Sequence, residues 1–322
     1  YSGDHFGEVI WGSDLSPGAM IGARYYFSDA LKKDFNVFTK GTYKVNDRLS
    51  TYLDLQGRFV NYQTYGLTSS RDPIDVNKSF NFFNPKAGFV YRFKDENRLY
   101  LSYARAQKEP NRNDFENGVS TSEKLDDYEL GWRYYSKDFS INSNLYYMNY
   151  SNQLVLTGDI DDVGAPVRAT SGSSYRLGIE LDLDIIINKK FSLRPNAALS
   201  SNKNRDFKST INGALINLGN TQISFSPNLI VGNIFAYQPS EKLQISVLSK
   251  YVGEQYMSNL NSKVTEQDVL EGYLISDINF EYIIKPKRIF HSIIINGLIN
   301  NIFNNEYVDR GYYYTYNYSD NN

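Results

Sequence analysis

Hydrophobic and polar residues alternate along most of the chain. In the stretch LSTYLDLQGRFVNYQTYG (49–66), one face collects mainly Leu and Phe, while the other collects Ser, Tyr, Asp, Gln and Arg. A period of two residues is the period of a β-strand, and this run is longer than a usual soluble strand. The same alternation recurs at 34–45, 174–186 and 241–253, and no long segment shows a helical period. We therefore predict an all-β protein.

Short charged turns alternate with long polar segments. The turns lie at 45–49, 94–98, 136–138, 188–190, 239–242 and 285–288. The polar segments lie at 63–79, 108–122, 150–172, 203–220, 256–271 and from 304 onward. Short turns at one end and long loops at the other are typical of an antiparallel transmembrane β-barrel of the outer membrane. A soluble up-and-down barrel or propeller is the alternative, but propeller blades need short strands with tight connections at both ends.

The pattern predicts about twelve strands. They are expected at 34–46, 48–63, 80–93, 97–107, 123–136, 138–149, 173–187, 190–202, 221–237, 241–254, 272–285 and 289–303. At about 3.3 Å per residue, strands of about 12 to 15 residues reach about 40 Å, enough to cross a membrane at a tilt. We expect the apolar face of each strand to meet lipid and the polar face to meet a lumen.

The composition is compatible with such a barrel. The 322 residues carry a net charge of −2, no cysteine, 28 tyrosines and 19 phenylalanines. This charge gives no basic field for nucleic acid, and without cysteine there are no disulfides or thiolate sites. A mean hydropathy of −0.49 usually indicates a soluble protein, but only alternate residues of a barrel strand face lipid. No transmembrane helix or signal peptide is visible, so we expect a mature or truncated chain.

Four stretches resemble the C-terminal half of the barrel in TonB-dependent outer-membrane receptors, particularly those of Bacteroidetes-type bacteria. They are LYLSYARAQKEPNRNDF, EKLDDYELGWRYYSKDFSINSNLYYMNYSNQL, SYRLGIELDLDI and INNIFNNEYVDRGYYYTY. The matching positions are Tyr103, Ala104 and Pro110 in the first, Glu123, Tyr128, Glu129, Leu130, Gly131 and Tyr134 in the second, Gly178 and Glu180 in the third, and Asn301, Ile302, Phe303 and Tyr307 in the fourth. The stretches follow the family's order and cover about 100 to 322.

The resemblance implies a particular place for this chain in a larger barrel. A complete member has an N-terminal plug domain inside a barrel of about 22 strands. The twelve strands would be strands ten to twenty-one, and the plug, its TonB-contacting motif and the last strand would lie outside this chain. Residues 1–33 are then expected to be an outer loop, 34–303 the barrel strands, and 304–322 an outer loop leading to the last strand. Unpaired sheet edges are unstable in lipid, so we expect a longer protein.

Catalysis finds little support in the sequence, and we expect neither an enzyme nor a cofactor. There is no G-x-S-x-G, P-loop or G-x-G-x-x-G motif. His5 and His291 each lack a second histidine at ligand spacing, and His291 is interpreted as a strand-end residue. Glu180, Asp182 and Asp184 share one strand face at about 7 Å, the spacing of an inverting glycosidase pair. A solvated lumen stripe is the favoured interpretation.

One loop, GDIDDVGAP (158–166), clusters the carboxylates of Asp159, Asp161 and Asp162. Calcium prefers clustered hard oxygens, but the spacing of an EF-hand is absent. A turn rich in Gly, Asp and Pro is therefore the favoured interpretation, and no metal site is predicted.

Basic and aromatic residues crowd the expected outer loops. Arginine suits bidentate binding of carboxylate or phosphate, and tyrosine supplies flat amphipathic contact area. An anionic, chelate-like cargo would match them, while contact with membrane lipid and lipopolysaccharide is the alternative for each single residue. The candidate ligand-binding residues are Tyr62, Tyr65, Arg71, Arg105, Arg112, Arg168, Arg205, Arg310 and Tyr312.

The resemblance implies a receptor in the bacterial outer membrane that imports a scarce nutrient, powered by the TonB–ExbB–ExbD complex acting on the plug. The moderate loop lengths look closer to receptors for iron chelates, siderophore or haem, than to glycan importers. A glycan, cobalamin or peptide importer of the same family is one alternative. A passive porin-like channel and a structural barrel subunit of an envelope complex are others. A surface lipoprotein is a further expected partner, and nucleic acid is not.

Overall fold

A computed structural model of the chain is dominated by one antiparallel β-sheet. The structure describes residues 1–12, 20–160, 166–170, 172–211, 214–260, 268–286 and 290–311. Its elements are β1 (Ser2–Glu8), β2 (Arg24–Lys44), β3 (Leu49–Leu67), β4 (Pro73–Lys94), β5 (Asn97–Lys108), α1 (Arg112–Glu116), β6 (Glu123–Tyr135), β7 (Phe139–Ser151), β8 (Leu154–Ile160), β9 (Pro166–Thr170), β10 (Ser173–Ile186), β11 (Phe191–Arg205), β12 (Lys208–Ile211), β13 (Ala214–Asn217), β14 (Thr221–Gln222), β15 (Leu229–Ser240), β16 (Leu243–Val252), β17 (Gln255–Tyr256), β18 (Val269–Leu270), β19 (Tyr273–Ile284) and β20 (Ile293–Ile299). The all-β prediction is confirmed.

The sheet has 14 strands and follows the chain as an antiparallel meander. Its order is β1-β2-β3-β4-β5-β6-β7-β10-β11-β15-β16-β19-β20, with β14 attached to β11. Eleven of the twelve expected strands each correspond to one strand of this sheet, whereas the strand expected at 221–237 is divided into β14 and β15. The remaining pairs β8–β9, β12–β13 and β17–β18 are small hairpins within segments expected to be loops. None of the helices in the described part of the chain is long and apolar enough to cross a membrane.

Several strands extend beyond their expected bounds at the loop end. The segment 1–33, expected to be an outer loop, contains β1 and the first part of β2, which pair with each other. The polar segment 63–79 is largely strand, because β3 and β4 stay paired from Leu49 and Tyr91 to Leu67 and Pro73. Backbone hydrogen bonds hold a ladder together whatever the polarity of its side chains. Polarity therefore marked the end of the apolar band and not the end of the strand.

One face of the sheet carries an apolar band made of rows in register. The clearest row joins Leu101, Leu130, Leu145, Ile179 and Leu199 across β5, β6, β7, β10 and β11. All five side chains are exposed, as they would be if lipid covered them. We call this face the outer face and the opposite face the inner face.

On the inner face, tyrosine rings lie over glycines of the neighbouring strand. A Cβ at Gly131 would come within 1.9 Å of the Tyr100 ring. The pairs are Tyr52 with Gly88, Tyr100 with Gly131 and Tyr146 with Gly178. A large ring covering a strand glycine compensates for the missing side chain. This packing accounts physically for two glycines in the stretches that carry the family resemblance.

Candidate ligand-binding site

The segment 109–119, between β5 and β6, folds back over the inner face of β2 and β3. Its short helix α1 begins at a capping box, in which the Asp114 amide donates to Asn111 Oδ1 at 3.0 Å and the Asn111 amide donates to Asp114 Oδ2 at 2.9 Å. This reciprocal pair satisfies two amides at the start of the helix. Strand β9 also lies close to α1.

An ionic network joins the segment to the strands. Glu109, only 7% exposed, accepts from Lys32 Nζ at 2.6 Å. Arg58 Nη1 and Nη2 donate to the two carboxylate oxygens of Glu109 at 2.8 and 2.9 Å, and Nη2 also donates to Asp34 at 2.6 Å. Burial alone would raise the pKa of Glu109, but the hydrogen bonds from Lys32 and Arg58 outweigh it and hold that pKa below its ordinary value. The carboxylate is therefore charged at neutral pH.

Aromatic packing holds the segment at a second point. The Phe115 ring stacks on the Tyr62 ring, with centroids 5.1 Å apart and planes 9° from parallel. Both rings are buried, as are Val60 and Phe82 on the same face. The guanidinium of Arg58 lies 6.0 Å from the centre of the Phe82 ring. The segment is thus bound to the strands by stacked rings as well as by charges.

Arg112 connects the helix to β2. Its Nε donates to Glu116 at 2.7 Å, and its Nη2 donates to Ser28 Oγ. His5 of β1 lies near this pair, and its pKa is lowered by partial burial and then by the positive charge of Arg112. We call the set that meets here the inner-face cluster. Its members are Lys32, Asp34, Arg58, Tyr62, Glu109, Arg112, Phe115 and Glu116.

The inner-face cluster can recognise a ligand through rings and charges. Its three cations and three carboxylates cancel, so an incoming anion would have to exchange with a carboxylate. Among the described residues, no group of three or more acidic or histidine side chains is placed to hold a metal ion.

The structure brings together two of the predicted ligand-binding residues, Tyr62 and Arg112. Tyr65 projects exposed from the outer side of β3, and Arg71 lies in the β3–β4 turn with a left-handed φ of 66°. Arg105 and Arg205 lie on the outer face, in register with Asp126 and Ser173. They are therefore on the opposite side of the sheet from the inner-face cluster.

The remaining predicted positions are not joined to the inner-face cluster by any described contact. Arg310 is exposed, next to Asp309, whose carbonyl accepts from Gln255 of β17 at 3.4 Å. Arg168 lies in β9 and Asp159 in β8, but their side chains fall outside what the structure describes, as do Asp161, Asp162 and Tyr312 entirely.

The acidic stripe on β10 lies on one face, as the sequence predicted. Glu180 and Asp182 pair with Asn144 and Asn142 of β7 on the inner face. Asp184 forms a salt bridge with Arg194 of β11 at 2.8 Å. A neighbouring cation across the strands is what a solvated stripe of charges would have.

Sequence reasoning missed six members of the inner-face cluster, namely Lys32, Asp34, Arg58, Glu109, Phe115 and Glu116. One signal was available, because a strand places alternate residues on one face. Arg58 and Tyr62 are an even number of residues apart in β3 and therefore lie on the same face. In the same way, Arg105 lies on the same face of β5 as Leu101. The contacts themselves join residues 51 and 77 positions apart, and no local pattern predicts such a meeting.

A meandering antiparallel sheet with an apolar outer face, short turns at one end and elaborated loops at the other defines the class of membrane β-barrels. The family described as "TonB dependent receptor-like, beta-barrel" matches residues 3–321. The chain belongs to this family. Members of the family are proteins of the bacterial outer membrane, and the family consists of receptors and transporters.

Three solved receptors share the fold of this chain at low sequence identity. The siderophore receptor PiuA from Acinetobacter baumannii has a TM-score of 0.71 at 16% identity, over 97% of this chain and 48% of PiuA. The ferric-catecholate import receptor Fiu from E. coli K12, in its closed form, has a TM-score of 0.65 at 16% identity, over 96% of this chain and 46% of Fiu. The ferric yersiniabactin uptake receptor FyuA from Yersinia pestis has a TM-score of 0.65 at 16% identity, over 91% of this chain and 44% of FyuA. This chain thus spans less than half the length of these receptors. No curated protein sequence is significantly similar to it.

Proposed function

We propose that the chain is part of a TonB-dependent receptor that captures an iron chelate, a siderophore or haem, and imports it across the outer membrane. Membership of the family supports receptor and transport activity. The receptors of similar fold are described as siderophore, ferric-catecholate and ferric yersiniabactin receptors. The energy would come from the TonB–ExbB–ExbD complex acting through a plug domain, and no catalytic step is needed.

The observation that carries the proposal is the inner-face cluster. It combines stacked rings with guanidinium groups on the inner face, beyond the apolar band. Because the rings of Tyr62 and Phe115 are buried against each other, a chelate of flat aromatic groups would replace Phe115 on the Tyr62 ring. Its negative charge would be met by Arg112, in exchange for Glu116. Arginine favours this role because its planar donors match carboxylate and phenolate oxygens in pairs.

The test measures binding and growth with the complete receptor. Arg112→Gln is expected to weaken binding of a ferric catecholate by about tenfold or more, because a charge-assisted hydrogen bond is lost. Arg48→Gln, in the turn at the other end of the sheet, is the matched control and should bind as wild type does. Deleting TonB should abolish growth on the chelate and leave binding intact.

Different results would point to the alternatives. If the wild-type receptor binds no ferric chelate but binds a glycan, cobalamin or a peptide, the proposed cargo is wrong and the family role stands. If transport continues without TonB, a passive channel is the better description. If no small molecule binds and the protein is found only within a larger envelope complex, a structural role replaces transport.

A further inference from the structure

The outer face is layered from apolar to aromatic to basic along β5, β6, β7, β10 and β11. Immediately beyond the row of Leu101 and Leu130 comes a row in which Tyr103, Tyr128 and Tyr147 stand in register. Tyr175 follows one row further on. Ring centroids are 5.1, 6.4 and 6.3 Å apart along this line of four tyrosines. Such a belt belongs at the boundary between hydrocarbon and headgroups.

The next two rows carry four cations and one carboxylate. The first row joins Arg105, Asp126, Asn149, Tyr175 and Lys203, and the second joins Gln107, Lys124, Ser151, Ser173 and Arg205. We call Arg105, Lys124, Lys203 and Arg205 the outer basic patch. Arg105 and Lys124 share Asp126 at 2.7 and 3.3 Å. Four positive charges against one negative leave a net charge of +3.

Arg205 is held in place without a carboxylate. Its Nη2 donates to the Tyr147 hydroxyl at 2.7 Å, and its Nη1 donates to Asn149 Oδ1 at 3.3 Å. Its guanidinium lies 5.0 Å from the centre of the Tyr175 ring. Within the described part of the chain, neither Arg205 nor Lys203 has an acidic side chain within 4.0 Å. Their charges remain available to a ligand, and Arg205 is already oriented.

The positive charge is a local property of these strands. At the loop end of the outer face on β2 and β4, the charged residues include Asp29, Lys33 and Asp75, which sum to −1. A general excess of cations would have appeared there as well. The contrast marks β5 to β11 as a distinct surface.

We propose that the outer basic patch binds the phosphate groups of an anionic lipid headgroup in the outer leaflet of the membrane. Each row lies about 6.6 Å beyond the last, which places the cations at headgroup level just past the tyrosine belt. The first row crosses four strand spacings of about 4.8 Å, or about 19 Å, so a headgroup with two phosphates fits across it. Arginine and lysine close to a membrane surface attract anionic lipid.

The test uses the complete receptor in detergent, with diphosphorylated lipid A as the probe and native mass spectrometry as the measurement. EDTA is present throughout, so that no divalent cation bridges lipid and protein. The double variant Lys203→Gln, Arg205→Gln is expected to bind the probe about 25-fold more weakly, about fivefold for each cation. The control Lys94→Gln, Lys137→Gln removes the same charge near the short turns and should change binding less than about twofold.

A second measurement needs no variant. Wild-type receptor should bind the fully dephosphorylated form of the same lipid at least about tenfold more weakly than the diphosphorylated form. Equal binding of the two forms would overturn the proposal, as would equal weakening in the test and control variants. If inorganic phosphate displaces the probe at matching concentration, the patch is a site for free phosphate, and its assignment to lipid is wrong.

Discussion

The inner-face cluster and the outer basic patch contain the same kinds of charged side chain but use them for different purposes. In the inner-face cluster, three cations meet three carboxylates at 2.6 to 2.8 Å. In the outer basic patch, the single carboxylate of Asp126 pairs with only two of the four cations, Arg105 and Lys124. Cations with carboxylates of their own hold a segment of chain in place and would meet a ligand only by exchanging partners, whereas cations without them are directly available to an external anion. Arginine content alone would not have separated the two.

Burial does not separate the two sites, because the carboxylates of Glu109 and Asp126 are both buried and the cations around each are about a quarter to a third exposed. The bonds that remain after a mutation do separate them. Removing Arg58 takes two hydrogen bonds from Glu109 and leaves this buried carboxylate a single cation. Removing Arg105 leaves Asp126 both a hydroxyl and a cation. Mutations are therefore expected to destabilise the inner-face cluster more than the outer basic patch.

The largest effect is expected from Phe115→Ala. Losing the stack on Tyr62 removes buried ring area and leaves a cavity, at a cost of about 3 kcal/mol to the closed state of segment 109–119. Hydrogen–deuterium exchange of the segment's amides measures this opening free energy. Phe38→Ala is the control, because that ring lies on the inner face of β2 but is 68% exposed. Equal effects of the two variants would show that the segment is not anchored by the stack.

Arg58→Ala should come next, at about 2 kcal/mol for the same opening, because Glu109 keeps Lys32 but loses a bidentate partner. The matched control is Lys44→Ala, which breaks a salt bridge to the exposed Asp47. Water and salt screen such an exposed pair, so its loss should leave the opening of the segment nearly unchanged. If the Arg58 variant matched this control, the ionic half of the inner-face cluster would not hold the segment closed.

Much of the fold was predictable because a period of two determines both the strands and their faces. The alternation at 174–186 and 241–253 located β10 and β16 closely. It failed at β1 and at the ends of β3 and β4, where polar side chains lie on a ladder that backbone bonds alone maintain. The packing of Tyr100 on Gly131 follows from the fold as well, since the register of β5 and β6 places the two residues opposite each other.

The inner-face cluster was less predictable because its contacts depend on how a loop returns to the sheet. Tyr62 and Arg112 could be named from residue type, but nothing near Glu109 in the sequence indicates Arg58 as its partner. Arg105 shows the reverse case. Its residue type suggested the ligand site, while its parity with Leu101 placed it on the outer face. Residue type can suggest a ligand-binding residue, but the position of that residue along the strand decides which face of the sheet it lies on.

Acid should loosen the inner-face cluster selectively. The pKa of Glu109 lies below its ordinary value of 4.5 in the folded protein. A carboxyl with a depressed folded pKa contributes stability above the unfolded pKa and loses it as pH falls through the folded one. Opening of segment 109–119 should therefore rise below about pH 4.5, as measured by amide exchange corrected for its intrinsic pH dependence. In the variant Glu109→Gln, segment 109–119 should open more at neutral pH and lose most of its dependence on pH. An unchanged pH dependence would show that other carboxyl groups cause it.

The smallest effect on stability is expected from Arg105→Gln. Asp126 would keep the Tyr103 hydroxyl at 2.7 Å and Lys124 at 3.3 Å, so the free energy of unfolding should fall by less than about 0.5 kcal/mol. Thermal unfolding of the complete receptor in detergent measures it. The same variant should still lose affinity for a phosphorylated lipid, because one of four cations is gone. A loss of stability as large as that of Arg58→Ala would mean that the outer basic patch also stabilises the fold. The two sites would then not differ in their contribution to stability.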